Sequence, residues 1–238
     1  MSETSAIILG ASGSVGKALL AEVLHSSHFA RVIVIGRSAL NLPPDLDAKV
    51  EQRLVPNMQP SNLKQATARA LEESGANAVG FSVLGIGAGT AKLSIEQHRA
   101  VDVELNAAFA AALRDSGRVK HLVFMSAIGA DANARTTGSG AAGMPRYARV
   151  KGEAEQAVLR EGPAVVSILR PSVIIGSTHT PAMLGSVMSI ASPLMPAKFR
   201  PIRTTEIARA MVALAKSQPT KSAFYEFKEM KALAGDAD

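Results

Sequence analysis

The stretch AIILGASGSVGKALLAEVLHS, residues 6–26, constrains the fold more than any other part of the chain. Residues 6–10 are an unbroken apolar run and predict a buried strand, whereas residues 15–26 predict a helix. Gly10, Gly13 and Gly16 sit at the junction. A triphosphate-binding loop needs two glycines with four residues between them, then Lys and a hydroxyl residue that holds magnesium. Here Gly10 and Gly16 are one residue too far apart, and Ala18 follows Lys17, which disfavours a nucleoside triphosphatase. A dinucleotide loop fits better. Gly10 and Gly13 let the backbone turn and approach a pyrophosphate, Gly16 permits close helix–strand packing, and the helix start offers amides to the anion. The expected contacts come from Gly10, Ser12, Gly13, Ser14, Val15 and Gly16. A tight glycine-rich turn without a ligand is the plainer alternative.

The same alternation continues. Strands are expected at 31–36, 77–85, 121–126 and 164–171, and helices at 61–73, 94–116, 147–161 and 204–217, the last capped by Thr204 or Thr205. The strands are continuously apolar, which implies burial on both faces. The fold class is therefore α/β, a Rossmann-type doubly wound parallel sheet. Apolar residues make up 47% of the 238 residues, enough for a full core. After Pro171 the alternation decays, so residues 172–238 are expected to form a small substrate-facing lobe of one domain, 1–238, with a fraying end at 232–238. Residues 130–145 are small, polar and glycine-rich and are expected to be mobile.

The strand at 31–36 runs into Arg37 and Ser38. Sites that prefer NAD place an acidic residue here for the ribose 2′-hydroxyl. A guanidinium pairs instead with a 2′-phosphate, so the expected cofactor is NADP(H), with Ser38 and Lys17 assisting. The alternative is a surface arginine. Leu84 and Gly85, ending the strand at 77–85, are further cofactor candidates. Asn57 is either an adenine contact or a loop cap.

Tyr147 and Lys151 are four apart and share one helix face. A phenol is a weak acid, with a pKa near about 10. A neighbouring ammonium stabilises the phenolate and is expected to lower that value. Tyr147 then protonates a carbonyl oxygen as hydride arrives. Ser126, at the end of the strand 121–126, either holds the substrate oxygen or satisfies the local backbone. Pro171 is expected to wall the nicotinamide. Asp102 and Asn106 share a face and serve either a proton relay or helix packing. His25 and His28 lack a third ligand in view, and no metal site is expected.

The segments GASGSVG (10–16), IGR (35–37), SAIGAD (126–131), YARVKGEAE (147–155) and LRPSVIIG (169–176) together resemble the short-chain dehydrogenase/reductase superfamily, in its atypical, extended-like branch. The resemblance implies NADP(H) binding and, by position, a catalytic set of Tyr147, Lys151 and Ser126. Two positions depart from the common pattern: Ala127 stands where many relatives have a second serine, and Asn57-Met58 stands where an Asp-Leu pair is common. The implied activity is reduction of a carbonyl or related small substrate. A non-catalytic NADP(H)-binding regulator is the alternative.

The net charge is +6, with basic residues scattered rather than clustered. Aromatics are only 4% and do not interleave with basic residues, so nucleic acid is not an expected partner. Cysteine is absent, which excludes disulfides, zinc thiolates and cysteine nucleophiles. No signal peptide is evident, and the apolar stretch 183–195 is too short and broken to span a bilayer. A cytoplasmic protein is expected. Met183, Met188 and Met195 suit core packing better than a pocket or dimer face, and a homodimer stays open.

Overall fold

The computed structural model describes residues 4–47, 49–176 and 196–235. Seven parallel strands form the central sheet: β1 (Thr4–Leu9), β2 (Phe29–Gly36), β3 (Val50–Leu54), β4 (Ala78–Ser82), β5 (Val119–Met125), β6 (Val165–Leu169) and β9 (Ala223–Tyr225). Their order is β3-β2-β1-β4-β5-β6-β9. The inner strands are mostly apolar because both faces are covered, whereas the edge strand β3 carries Glu51, Gln52 and Arg53. Ala6, Ile8, Val32 and Val34 face the layer of α1 (Ser14–His25) and α7 (Thr204–Ser217). Ile7, Leu9, Ile33 and Ile35 face the opposite layer of α3 (Pro60–Ser74), α5 (Asn106–Asp115) and α6 (Pro145–Glu161). A short helix, α2 (Pro44–Asp47), links β2 to β3.

The helix expected over 94–116 has three parts. Ser94 and Gln97 close a capping box at the start of α4 (Ile95–Arg99), residues 100–105 form a π-helical turn, and α5 follows. The extra residue in a π turn re-aims side chains locally, and such turns often mark functional sites. Here Asn106 stabilises it. Its Nδ2 donates to the carbonyls of Asp102 (2.9 Å) and Leu84 (3.3 Å), while Ser82 Oγ donates to its Oδ1. Asn106 thus ties the π turn to the end of β4.

The described residues after Pro171 form two parts. β7 (Ile174–Ile175) and β8 (Ile202–Arg203) make a separate two-stranded sheet. The chain then rejoins the main fold, with α7 against α1, β9 as the edge strand, and α8 (Phe227–Ala234) against α7. The residue capping α7 is Arg203, not Thr204 or Thr205, because Glu206 accepts from the Arg203 amide (2.8 Å). Ala232–Ala234, expected to fray, continue α8, which is anchored by the fully buried Met230. His179, Met183, Met188 and Met195 lie outside the described residues.

The loop 130–145, expected to be mobile, is tied to α6. Asp131 N donates to Ala148 O (2.9 Å), and Arg149 reaches Ala134 O. A Cβ on Gly152 would lie 2.1 Å from Ala132 N, so glycine there lets the loop cross the helix in direct contact.

Candidate active site

The glycine turn is built as its spacing suggests. Gly10 has φ +92°, and a Cβ on it would meet Leu84 N at 2.7 Å. A Cβ on Gly16 would lie 2.1 Å from Gly10 O, so α1 abuts the turn. Gly13 differs: its nearest neighbour to such a Cβ is Gly10 O, at 3.6 Å. Gly13 is the N-cap of α1; no side chain caps this end and no acidic residue lies in its first turn. Those are the conditions for anion binding by backbone amides. Val15 is buried, so only its backbone is available to a ligand.

A cavity of 550 Å³ runs along the carboxyl ends of β1, β2 and β4. Gly10, Ser12, Arg37, Ser38, Leu84 and Gly85 all line it. Arg37 is exposed and has no ion pair among the described residues. Met58, Leu40 and Ile86 also line it and were not anticipated. Asn57 does not: its carbonyl accepts from Asn62 Nδ2 (3.0 Å) and from Gln59 N (2.9 Å), so it serves the loop. Lys17 and Pro171 are likewise outside the lining; Pro171 O accepts from Ile128 N (2.9 Å).

The chemistry-bearing side chains gather beside this groove. Pro145 starts α6 with a fixed φ suited to the first helical position, and Tyr147 and Lys151 follow on successive turns. Lys151 is 4% exposed, and its Nζ donates to Asp102 Oδ1 at 3.2 Å. Asp102 Oδ2 accepts from Ile86 N at 3.2 Å. His98 is fully buried, lies 3.6 Å from Asp102 and sits at 5.7 Å, ring to ring, from Tyr147. A Cβ on Gly85 would lie 3.1 Å from Asp102 Oδ1 and 3.7 Å from Lys151 Nζ. Glycine at 85 therefore brings the ion pair to the wall of the groove.

The electrostatics correct one expectation. Burial pushes the Tyr147 phenol above its ordinary value, and the attraction of Lys151 is opposed by Asp102. The ammonium does not lower it on balance, because the cost of burying a phenolate exceeds its attraction, and Asp102 opposes that attraction further. Burial also works against Lys151, yet Asp102 holds it protonated, above the usual lysine range. Burial would raise Asp102; Lys151 and His98 together outweigh this and hold the carboxyl below its ordinary value. This buried ion pair joins α6 to the π turn.

Ser126 follows β5 and is 3% exposed. Its amide donates to Leu169 O (2.8 Å), while its Oγ is buried with no hydrogen-bond partner among the described residues. His25 Nδ1 lies 2.7 Å from Ala21 O, and His28 packs edge-on against Phe29.

The family profile described as NAD(P)H-binding matches residues 10–218. The chain is 29% identical over 221 residues to "Protein FMP52, mitochondrial" of Eremothecium gossypii, covering 90% of this chain and 89% of that protein. It is 30% identical over 176 residues to "Protein HTATIP2" of Rattus norvegicus, covering 74% of this chain and 64% of that protein. Among solved structures, MoeE5 in complex with UDP-glucuronic acid and NAD superposes with a TM-score of 0.65 at 14% identity, over 97% of this chain and 81% of that one. A short-chain dehydrogenase/reductase from Serratia marcescens gives 0.63 at 16% identity, over 96% and 98%. At such identities the structural matches speak for the fold alone. No helix among the described residues is long and apolar enough to cross a membrane. From the glycine turn through α7, the chain belongs to the NAD(P)H-binding family.

Proposed function

We propose that the protein is an NADP(H)-dependent oxidoreductase, acting as one domain, that reduces the carbonyl of a small substrate. The observation that carries this is the Lys151–Asp102 ion pair directly behind Gly85 of the groove lining, with Tyr147 one turn before Lys151 on α6. The residues fit the cofactor: the uncapped end of α1 and the open ground over Gly13 suit a pyrophosphate, and Arg37 suits a 2′-phosphate. A bound NADPH supplies the hydride. Tyr147 donates its proton to the substrate oxygen as negative charge develops there, and Ser126 orients that oxygen. Lys151 steadies the phenolate left behind. A phenol held in its neutral form is suited to donate a proton, which favours reduction over alcohol oxidation at neutral pH.

The test is a screen of aldehydes and ketones for NADPH oxidation, with Tyr147→Phe as control. Turnover that disappears in the control supports the assignment; turnover that survives removes Tyr147 from the chemistry. A second reading, a cofactor-binding regulator without turnover, is favoured by Ala127 and by the enclosed, unpartnered Ser126 hydroxyl. Tight NADPH binding with no oxidation across the screen would select it. The expected compartment is the cytoplasm. One relative is named as mitochondrial, so cell fractionation is the appropriate check.

A further inference from the structure

A second cavity, of 440 Å³, lies at the opposite edge of the sheet, where β1, β4, β5 and β6 begin and α7 ends. That volume is in the range of small-molecule pockets. Its floor is apolar, with Val79 and Val165 among the lining residues. Every ionisable side chain on it is a base: His28, Arg118, Lys120 and His121. Among the described residues no carboxylate lines it.

Two of these bases have unused valences. His121 is 6% exposed; its Nε2 is 2.9 Å from Ser167 Oγ, but its Nδ1 is buried without a hydrogen-bond partner. His28 Nε2 is buried without one as well. Buried polar atoms are rarely left unpaired, and each exception calls for an explanation. Lys120 is exposed and has no ion pair among the described residues. Arg118 spends one N–H on Gly75 O (2.7 Å). Across the cavity Gln218 holds φ +48°, the single non-glycine residue with positive φ among those described. Gln218 is the C-terminal cap of α7, a position where the left-handed conformation is common.

We infer that this cavity is a second ligand site, for a small organic anion with an apolar body, such as an aromatic carboxylate. The valines take the body. Arg118 and Lys120 at the rim meet the charge, and the imidazole nitrogens of His28 and His121 supply the remaining hydrogen bonds. β1 and β4 begin here and end at the nucleotide groove, so the two sites occupy opposite edges of one sheet and do not overlap.

The experiment uses the full chain saturated with NADPH and follows the histidine ring resonances by NMR. The probe is benzoate, with benzyl alcohol as its neutral counterpart. Saturable shifts of His28 and His121 with benzoate, in the millimolar range, are expected, and only weak ones with benzyl alcohol. Arg118→Ala/Lys120→Ala should weaken benzoate by about fivefold or more while NADPH affinity stays unchanged, which also reports that the variant folds. Three results overturn the site: no shifts up to tens of millimolar, equal binding of the alcohol, or displacement of benzoate by NADPH. None of these depends on whether Tyr147 performs the chemistry proposed above.

Discussion

The Lys151 ammonium lies 3.2 Å from the Asp102 carboxylate, and both are almost wholly buried. A charge in this position would ordinarily acidify the phenol one turn away. Burial of the phenol outweighs that attraction and the counter-ion opposes it further, so Tyr147 stays a weaker acid than a free phenol. His98 packs beside both Tyr147 and Asp102.

This arrangement can be read without a substrate. The chain has no Trp and two Tyr, Tyr147 and Tyr225. In a Tyr225→Phe background the near-ultraviolet tyrosinate signal belongs to Tyr147 alone. Its midpoint should lie above the ordinary phenol value of about 10. Asp102→Asn removes the opposing charge and should move the midpoint down by about a unit or more. A midpoint that stays put or rises would show that Asp102 does not screen the ammonium.

Cofactor choice is tested at Arg37. A guanidinium on a phosphate is a charge-assisted pair, worth roughly 1.5–3 kcal/mol. Arg37→Asp should therefore weaken NADPH by about tenfold to a hundredfold and leave NADH much less affected, as measured by cofactor titration. Equal losses for both nucleotides would mean that Arg37 does not read the phosphate.

These tests separate what the sequence displays from what only the fold assembles. The glycine turn, the strand–helix alternation and the Tyr147/Lys151 pair are local patterns, and they stand where their spacing places them. The Asp102–Lys151 pair joins residues far apart in sequence, through a π turn that an apolar periodicity near 3.6 does not distinguish from a continuous helix. Without the burial of the phenol and that opposing carboxylate in view, the direction of the Tyr147 shift reads the wrong way. β9 is three residues long and carries no periodic signal; it is a strand because α7 returns the chain to the sheet edge. Met58 and Ile86 enter the groove through loop geometry, for which no motif exists.

Acid stability depends on His121. Burial pushes its imidazole down to about 4 from an ordinary 6.5. Between these values the unfolded chain takes up a proton that the folded chain refuses. The stabilisation is complete above pH 6.5 and is lost as pH falls toward 4, amounting to up to about 3 kcal/mol. Urea unfolding at pH 7 and pH 5 should show wild type losing stability, with a smaller loss in His121→Gln. Parallel losses in the two proteins would place the acid sensitivity elsewhere.

The three glycines of the first turn make separable predictions. Gly10→Ala forces a Cβ onto Leu84 N from a backbone with φ +92°, and Gly16→Ala drives one into Gly10 O. Both are backbone collisions that no rotamer relieves, so each should cost about 1–3 kcal/mol of stability in denaturant unfolding. Gly13 is different, since its φ of −73° suits any residue and its Cβ would stand 3.6 Å from the nearest atom. Gly13→Ala should unfold close to wild type. The added methyl stands at the helix start, where the pyrophosphate is expected, so NADPH affinity should fall by about tenfold or more. Stability that falls in step with affinity would assign Gly13 to packing alone, and unchanged affinity would move the pyrophosphate away from the start of α1.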